Sequence, residues 1–270
     1  MLRRNLILIL VGILSLSACD SSNKMDIDLR PFINYTDYDE SYLSKAEYFG
    51  LIGEKDSAFH YLDLIHDNHP ISILSNASFA ALTNDERWNN LVNTIAHREH
   101  ISQKEMYKKE WTMNDGAYVF IIKNIAKSDV SEGEKNRLTD ILWKKNKIHR
   151  RMNVSILKKL VHLNGGYEEL GATLFMTLQH VGDTSVMAKY KAAMDDCLVR
   201  QIISPYQYAY FTDRYKMLIN EKQIYGTQVK KDDLGVFYLY PVEDTLILDS
   251  LRKSVGIEIS VEDYLEVFGN

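Results

Sequence analysis

Five short polar strings near the C-terminus carry the residue types that could do chemistry. Gln179-His180 supplies an imidazole, and Phe211-Thr212-Asp213-Arg214 a carboxylate beside a guanidinium. Gln223-Ile224-Tyr225-Gly226-Thr227-Gln228 adds neutral donors and acceptors, followed by Pro241-Val242-Glu243-Asp244 and by Arg252-Lys253-Ser254-Val255-Gly256-Ile257. If His180, Asp213, Arg214, Gln223, Tyr225, Thr227 and Gln228 converge, they form a small polar pocket able to orient an amide, a sugar or a carboxylate. In a catalytic version His180 is the general acid or base, Asp213 orients it and Arg214 stabilises an anion. In an architectural version His180 caps a helix, Asp213 and Arg214 pair as buried ions, and the Gln and Thr groups satisfy hairpin backbone. Both versions are open at this point.

The common catalytic signatures are absent: no Gly-rich phosphate loop, HExxH, GxSxG or CxxC occurs. His66/His69 and His97/His100 are spaced to share a helix face, but neither pair has a third ligand of the right type nearby, so no metal or cofactor is expected. Cys197 falls on a helical stripe with Met187, Tyr190, Met194 and Gln201, which reads as core. Lys144, Lys145, Lys147, His149, Arg150, Arg151, Lys158 and Lys159 make one helix strongly basic, either a solvated face or a surface for anionic headgroups.

Apolar periodicity along the chain predicts a mainly α fold. Tyr42, Ala46, Phe49 and Ile52 line one helix, Gly53-Glu54-Lys55 turns, and Ala58, Tyr61, Leu62 and Ile65 line the next. Phe79, Leu82, Trp88, Leu91, Val92 and Ile95 keep helical spacing beyond it. Long helices are predicted over Gln103–Lys127, over Ser131–Leu163 with Met152-Asn153 as a candidate break, and over Tyr167–Val181, then over Lys189–Gln201 and Pro205–Ile219. Gln223–Val229 and Val236–Tyr240 read as a β-hairpin, and Ser260 with Asp263 as the cap of a last helix.

The succession QH, DR, QxYGTQ, PVED and RxxVG resembles an uncharacterised bacterial family, domain of unknown function 6624, over roughly Trp143 to Phe268. The resemblance implies a shared fold and names no activity. Two positions depart from the family pattern. Members often carry an acidic residue three positions before the Asn that matches Asn153, where this chain has Arg150. They also often carry DQxxR, whose nearest match is Asp115-Gly116 with Val119 in place of the Arg. A reaction that needs those polar residues would be lost here. "IGEKDSAFHYLDLIHDN" resembles the turn and second helix of a tetratricopeptide repeat, with Gly53 at the turn and Ala58 at the small packing position, although a solenoid normally needs at least three such units.

The N-terminus supplies an address. Arg3 and Arg4 precede an apolar run of eleven residues, Leu6 to Leu16, against the roughly 20 that a spanning helix needs. Leu16-Ser17-Ala18-Cys19 then resembles the lipobox of bacterial lipoproteins. That resemblance implies cleavage before Cys19, diacylglycerol on its thiol, and a membrane-lipid partner. Asp20 resembles an inner-membrane retention residue of enterobacterial lipoproteins, a lineage-dependent rule that leaves the leaflet open. Losing Arg3 and Arg4 takes the net charge from -5 to -7, which argues against nucleic acid as a partner.

The expected organisation is a signal peptide (1–18), a tether (19–38), a tetratricopeptide-like module (39–100) and a helical domain with a C-terminal β-hairpin (101–270). The favoured expectation is a lipid-anchored envelope protein that binds a protein or peptide partner. The alternatives are a hydrolase-like or small-ligand site at His180, Asp213 and Arg214, and a purely structural envelope protein.

Overall fold

The computed structural model describes residues 28–33, 41–65, 70–232 and 236–269, so the signal segment, Cys19, His66 and His69 lie outside the described residues. The chain is mainly α. Among the described residues no helix is long and apolar enough to cross a membrane.

Helices α1 (Tyr42–Ile52) and α2 (Lys55–Ile65) pack on each other about Gly53, which takes the left-handed conformation at φ 80° that favours glycine. Ala46 and Ala58 are fully buried between them. The next elements do not repeat this hairpin. They are the short α3 (Pro70–Ser75), a 3-10 turn at Ala77–Leu82 and α4 (Glu86–Arg98). The 3-10 turn runs so close to α1 that a Cβ on Gly50 would stand 2.7 Å from the Ser78 carbonyl oxygen. The core under this module is closed from below by Met113 and Ala117, so it continues past residue 100 into the next helix.

The helix expected over Gln103–Lys127 is two helices, α5 (Gln103–Gly116) and α6 (Val119–Lys127). Tyr118 breaks it at φ 62°, and the Ala117 carbonyl takes a hydrogen bond from the Asn146 side chain. After the break α6 packs Ile121, Ile122 and Ile125 with Leu138 and Leu142. Leu29, Phe32 and Ile33 bury into the same cluster, and Asn124 Nδ2 donates to the Phe32 carbonyl at 3.0 Å. Residues 28–33, expected in the tether, are therefore docked. Their apolar side chains cover α6, which the polar composition around them concealed.

Helix α7 (Glu132–Asn164) is unbroken. At 1.5 Å per residue it is about 50 Å long, and it contributes to three apolar clusters. Its N-terminal half meets α6 through Leu138 and Leu142, and its C-terminal half buries Ile156, Leu157 and Leu160. Between them it buries polar residues against α5. Asn153 Nδ2 donates to the Trp111 carbonyl at 3.1 Å, and His149 Nδ1 meets Asn114 Oδ1 at 3.1 Å. Asn153, a candidate break in α7, thus uses its amide to hold the neighbouring helix.

Helices α8 (Gly171–Val181), α9 (Thr184–Val199) and α10 (Pro205–Leu218) close a second core around Leu174, Leu178, Met187, Met194 and Phe211. Cys197 lies in it as a fully buried free thiol, and burial pushes that thiol up. A capping box joins Ser204 and Gln207 at the start of α10. Strands β1 (Val229–Lys231) and β2 (Phe237–Leu239) pair antiparallel, Val229 opposite Leu239. Then come α11 (Leu248–Ser254) and α12 (Val261–Gly269), the latter capped by Ser260 Oγ accepting from the Asp263 N–H at 3.1 Å.

The polar middle of α7 makes stability depend on pH. Burial pushes the His149 imidazole down to about 4 from its ordinary 6.5. The unfolded chain takes up this proton below about 6.5, the folded chain only below about 4. The stability held by the neutral ring is therefore complete above that range and is lost as pH falls through it. Going from pH 7.5 to 4.5 is expected to cost the wild type on the order of 2–3 kcal/mol more than His149→Gln, measured by urea unfolding at both pH values.

Candidate functional site

The predicted residues fall into two assemblies, and the first is built on Asp213. Its side chain is fully buried, and both carboxylate oxygens are occupied by the Gln223–Gln228 segment. Oδ1 accepts from the Ile224 N–H at 2.7 Å and the Tyr225 N–H at 3.1 Å. Oδ2 accepts from the Thr227 N–H at 2.9 Å and the Thr227 hydroxyl at 3.0 Å. These bonds correct the expected hairpin. Residues 224–227 do not extend β1, because the N–H groups of Ile224, Tyr225 and Thr227 turn onto a carboxylate instead of a neighbouring strand. Gly226, at φ 61°, permits the turn, and its carbonyl accepts from Arg252.

The rest of QxYGTQ closes the loop on itself. Gln223 Nε2 donates to the Gln228 and Tyr240 carbonyls at 3.0 and 2.7 Å, and Gln223 Oε1 accepts from the Gln228 N–H at 2.9 Å. The backbone of Gln223 bridges to the PVED string: its N–H donates to the Pro241 carbonyl and its carbonyl accepts from the Glu243 N–H. Arg252, 1% exposed, donates to the carbonyls of Tyr225, Gly226 and Ile259 and stacks over Tyr264, whose hydroxyl donates to the Thr227 carbonyl at 2.9 Å. The DR, QxYGTQ, PVED and RxxVG strings thus meet in one hydrogen-bonded knot. Tyr225 serves it through its backbone, and Arg252 was the member whose role the sequence did not show.

The second assembly holds His180, and its carboxylate partner is Asp115, not Asp213. His180 Nδ1 lies 2.6 Å from Asp115 Oδ1, and the two side chains stay 28% and 19% exposed. No described residue bonds the other ring nitrogen, Nε2. His180 stands in the last turn of α8, which Gly182 ends in the left-handed conformation, while Asp115 stands in the last turn of α5 before the Tyr118 break. The interruption of α5 and the end of α8 therefore bring the pair together at the polar middle of α7.

One arginine borders this pair, and a second lies near the first. Arg150, on α7, lies within electrostatic reach of both Asp115 and Arg214 and stacks over the Trp143 ring at 5.3 Å. Arg214, next to Asp213 on α10, forms no ion pair with it, because Asp213 is engaged by the loop. Its NH1 reaches Gln228 Oε1 at a long 3.4 Å. Burial lowers both guanidiniums from their ordinary values. For Arg150 the nearby Asp115 opposes that shift and the like charge of Arg214 adds to it. Gln228, whose Nε2 also donates to the Thr227 hydroxyl at 3.0 Å, is the link from knot to site.

In the sequence, Asp115 stands out only at a departure from a family pattern, and Arg150 at another and as one member of the basic run. The structure pairs Asp115 with His180, 65 residues away, a partner that neither spacing nor periodicity could supply. Among the described residues, no group of three His, Cys, Asp or Glu comes together as a metal site. The basic run on α7 splits, since His149 and Arg150 turn inward while Lys144 pairs with Asp140 and Arg151 with Asp183 at the surface. No protein-family model, curated protein or solved structure matches this chain.

If Asp213 is the clasp of the knot, Asp213→Asn puts an amide donor against backbone donors. The variant should lose roughly 2–4 kcal/mol in denaturant unfolding, with faster hydrogen exchange at Ile224, Tyr225 and Thr227.

Proposed function

We propose that this chain is a lipid-anchored protein of the bacterial cell envelope whose helical domain binds a small polar ligand and exchanges a proton with it through His180. The observation that carries the site is the 2.6 Å Asp115–His180 hydrogen bond, partly open to solvent, with Nε2 unengaged. A carboxylate on Nδ1 selects the tautomer and fixes the ring plane, which leaves Nε2 as the atom that gives or takes a proton. Asp115 thus takes the orienting role that residue type alone would give to Asp213. Arg150, within electrostatic reach of both Asp115 and Arg214, supports a role for the two guanidiniums as the cations of the site. The address rests on Arg3, Arg4, the short apolar run and Cys19.

A second reading, a protein or peptide partner on the N-terminal module, is favoured by the aromatic row on α1 and α2. Phe49 and Tyr61 stack at 5.6 Å, and Tyr61 meets the half-exposed Tyr42 at 5.9 Å. Aromatic side chains of this kind are common anchors for peptides.

The test is functional and structural together. In the native host, His180→Ala and Asp115→Asn should each fail to complement a deletion strain. Neither should cost more than about 1.5 kcal/mol in unfolding, as expected for a partly exposed pair. A variant that complements fully would contradict the site. Cys19→Ser should lose radiolabelled palmitate and leave the membrane fraction; retention of label would contradict the anchor.

A further inference from the structure

Arg150 and Arg214 are an unusual pair. Each side chain is only partly exposed, Arg150 lies within electrostatic reach of Arg214, and among the described residues neither forms an ion pair with a carboxylate. Each also keeps an Nε–H that is buried and has no hydrogen-bond partner. Folding normally pairs such groups or leaves them in water, because a buried unpaired cation and a buried unpaired donor both destabilise the chain. What holds them is partial. Arg150 rests on the Trp143 ring, and Arg214 reaches only Gln228 Oε1 at 3.4 Å. The carboxylates nearby are engaged elsewhere, Asp115 with His180 and Asp213 with the loop.

We infer that Arg150 and Arg214 form the receptor for an oxyanion, so that the ligand of the His180 site carries a carboxylate or phosphoryl group. This rests on the reading of His180 and Asp115 as a ligand site and names the chemical class of that ligand. A planar guanidinium offers paired N–H donors that match two oxygens of a carboxylate or phosphate, and two such forks neutralise one anion from two sides. The anion supplies the missing charge and the missing acceptors at once. Asp115 keeps a role distinct from the arginines: it orients the imidazole, and its own negative charge places the bound anion nearer the arginines than itself. The ligand is thereby held by its anionic end beside the nitrogen that moves a proton. The same geometry explains why a reading based on Asp213 as the partner of Arg214 fails. With Asp213 consumed by the knot, the arginine is left for something outside the chain.

The test uses the full-length lipoprotein in detergent micelles, titrated by calorimetry with inorganic phosphate or acetate at constant ionic strength, with chloride as control. At least one probe should bind, and Arg150→Gln and Arg214→Gln should each weaken it roughly tenfold or more, the loss of one charged hydrogen bond. Tighter phosphate binding assigns a phosphoryl ligand, and tighter acetate binding a carboxylate ligand. Neither variant should lower the melting temperature of the unliganded protein, since each removes a partly buried charge with no ion-pair partner among the described residues. Should a glutamine variant unfold, Arg150→Lys and Arg214→Lys keep the charge without the fork and should still weaken binding. Failure of both probes to bind, or binding unchanged in both variants, overturns the inference. The outcome for the His180 reading is separate. Arginine-dependent binding together with full complementation by His180→Ala would keep the oxyanion receptor and remove the proton transfer.

Discussion

A carboxylate with no access to water must be satisfied by the protein, and Asp213 is satisfied by three backbone N–H groups and a hydroxyl from one loop. Much of the C-terminal third follows from that demand. The loop must turn its amides inward, so the hairpin starts only at Val229. The carbonyls displaced to the outside of the turn need donors, and Arg252 supplies them from α11. Tyr264 then covers Arg252 and ties α12 to the Thr227 carbonyl. One buried charge thus docks a loop, a hairpin and two helices onto α10.

The same interaction shapes the candidate site at one remove. Locking Asp213 to the loop fixes the register of α10, and the next residue, Arg214, is left beside Gln228 and within reach of Arg150 on α7. On the other side, the Tyr118 break stops α5 at the level where Asp115 meets His180. Helix α7 carries the polar residues that make both ends meet. Asn146 takes the carbonyl freed by the break, and His149 and Asn153 bind the last turns of α5. Stability in this region comes from buried polar contacts, whose deletion leaves partners unpaired, in contrast to the apolar cores at either end of α7.

The sequence revealed elements better than partners. Apolar periodicity located α2, α4, α10 and the stripe from Met187 to Cys197, and the Ser-x-x-Asp pattern located the cap of α12, because these depend on residues three and four apart; Gln201, read as the end of that stripe, lies exposed past α9 at φ 57°. The α5–α6 break was hidden: Tyr118 in the left-handed region is imposed by packing against His149 and by the Asn146 bond, both distant in sequence. The QxYGTQ string was legible as one unit, yet its β-rich composition suggested a strand where a carboxylate eleven residues before Ile224 draws the amides away. His180 and Arg214 were found by residue type. Asp115 was not tied to His180, since 65 residues separate them and no local pattern marks the pairing.

His180 belongs to Asp115, and Asp213 belongs to the loop. Two double-mutant cycles on unfolding free energy, His180→Ala with Asp115→Ala and His180→Ala with Asp213→Ala, test this pairing directly. A coupling of roughly 0.5 kcal/mol or more is expected for the Asp115 cycle, and additivity within about 0.3–0.5 kcal/mol for the Asp213 cycle. Coupling of His180 to Asp213 with none to Asp115 would contradict it.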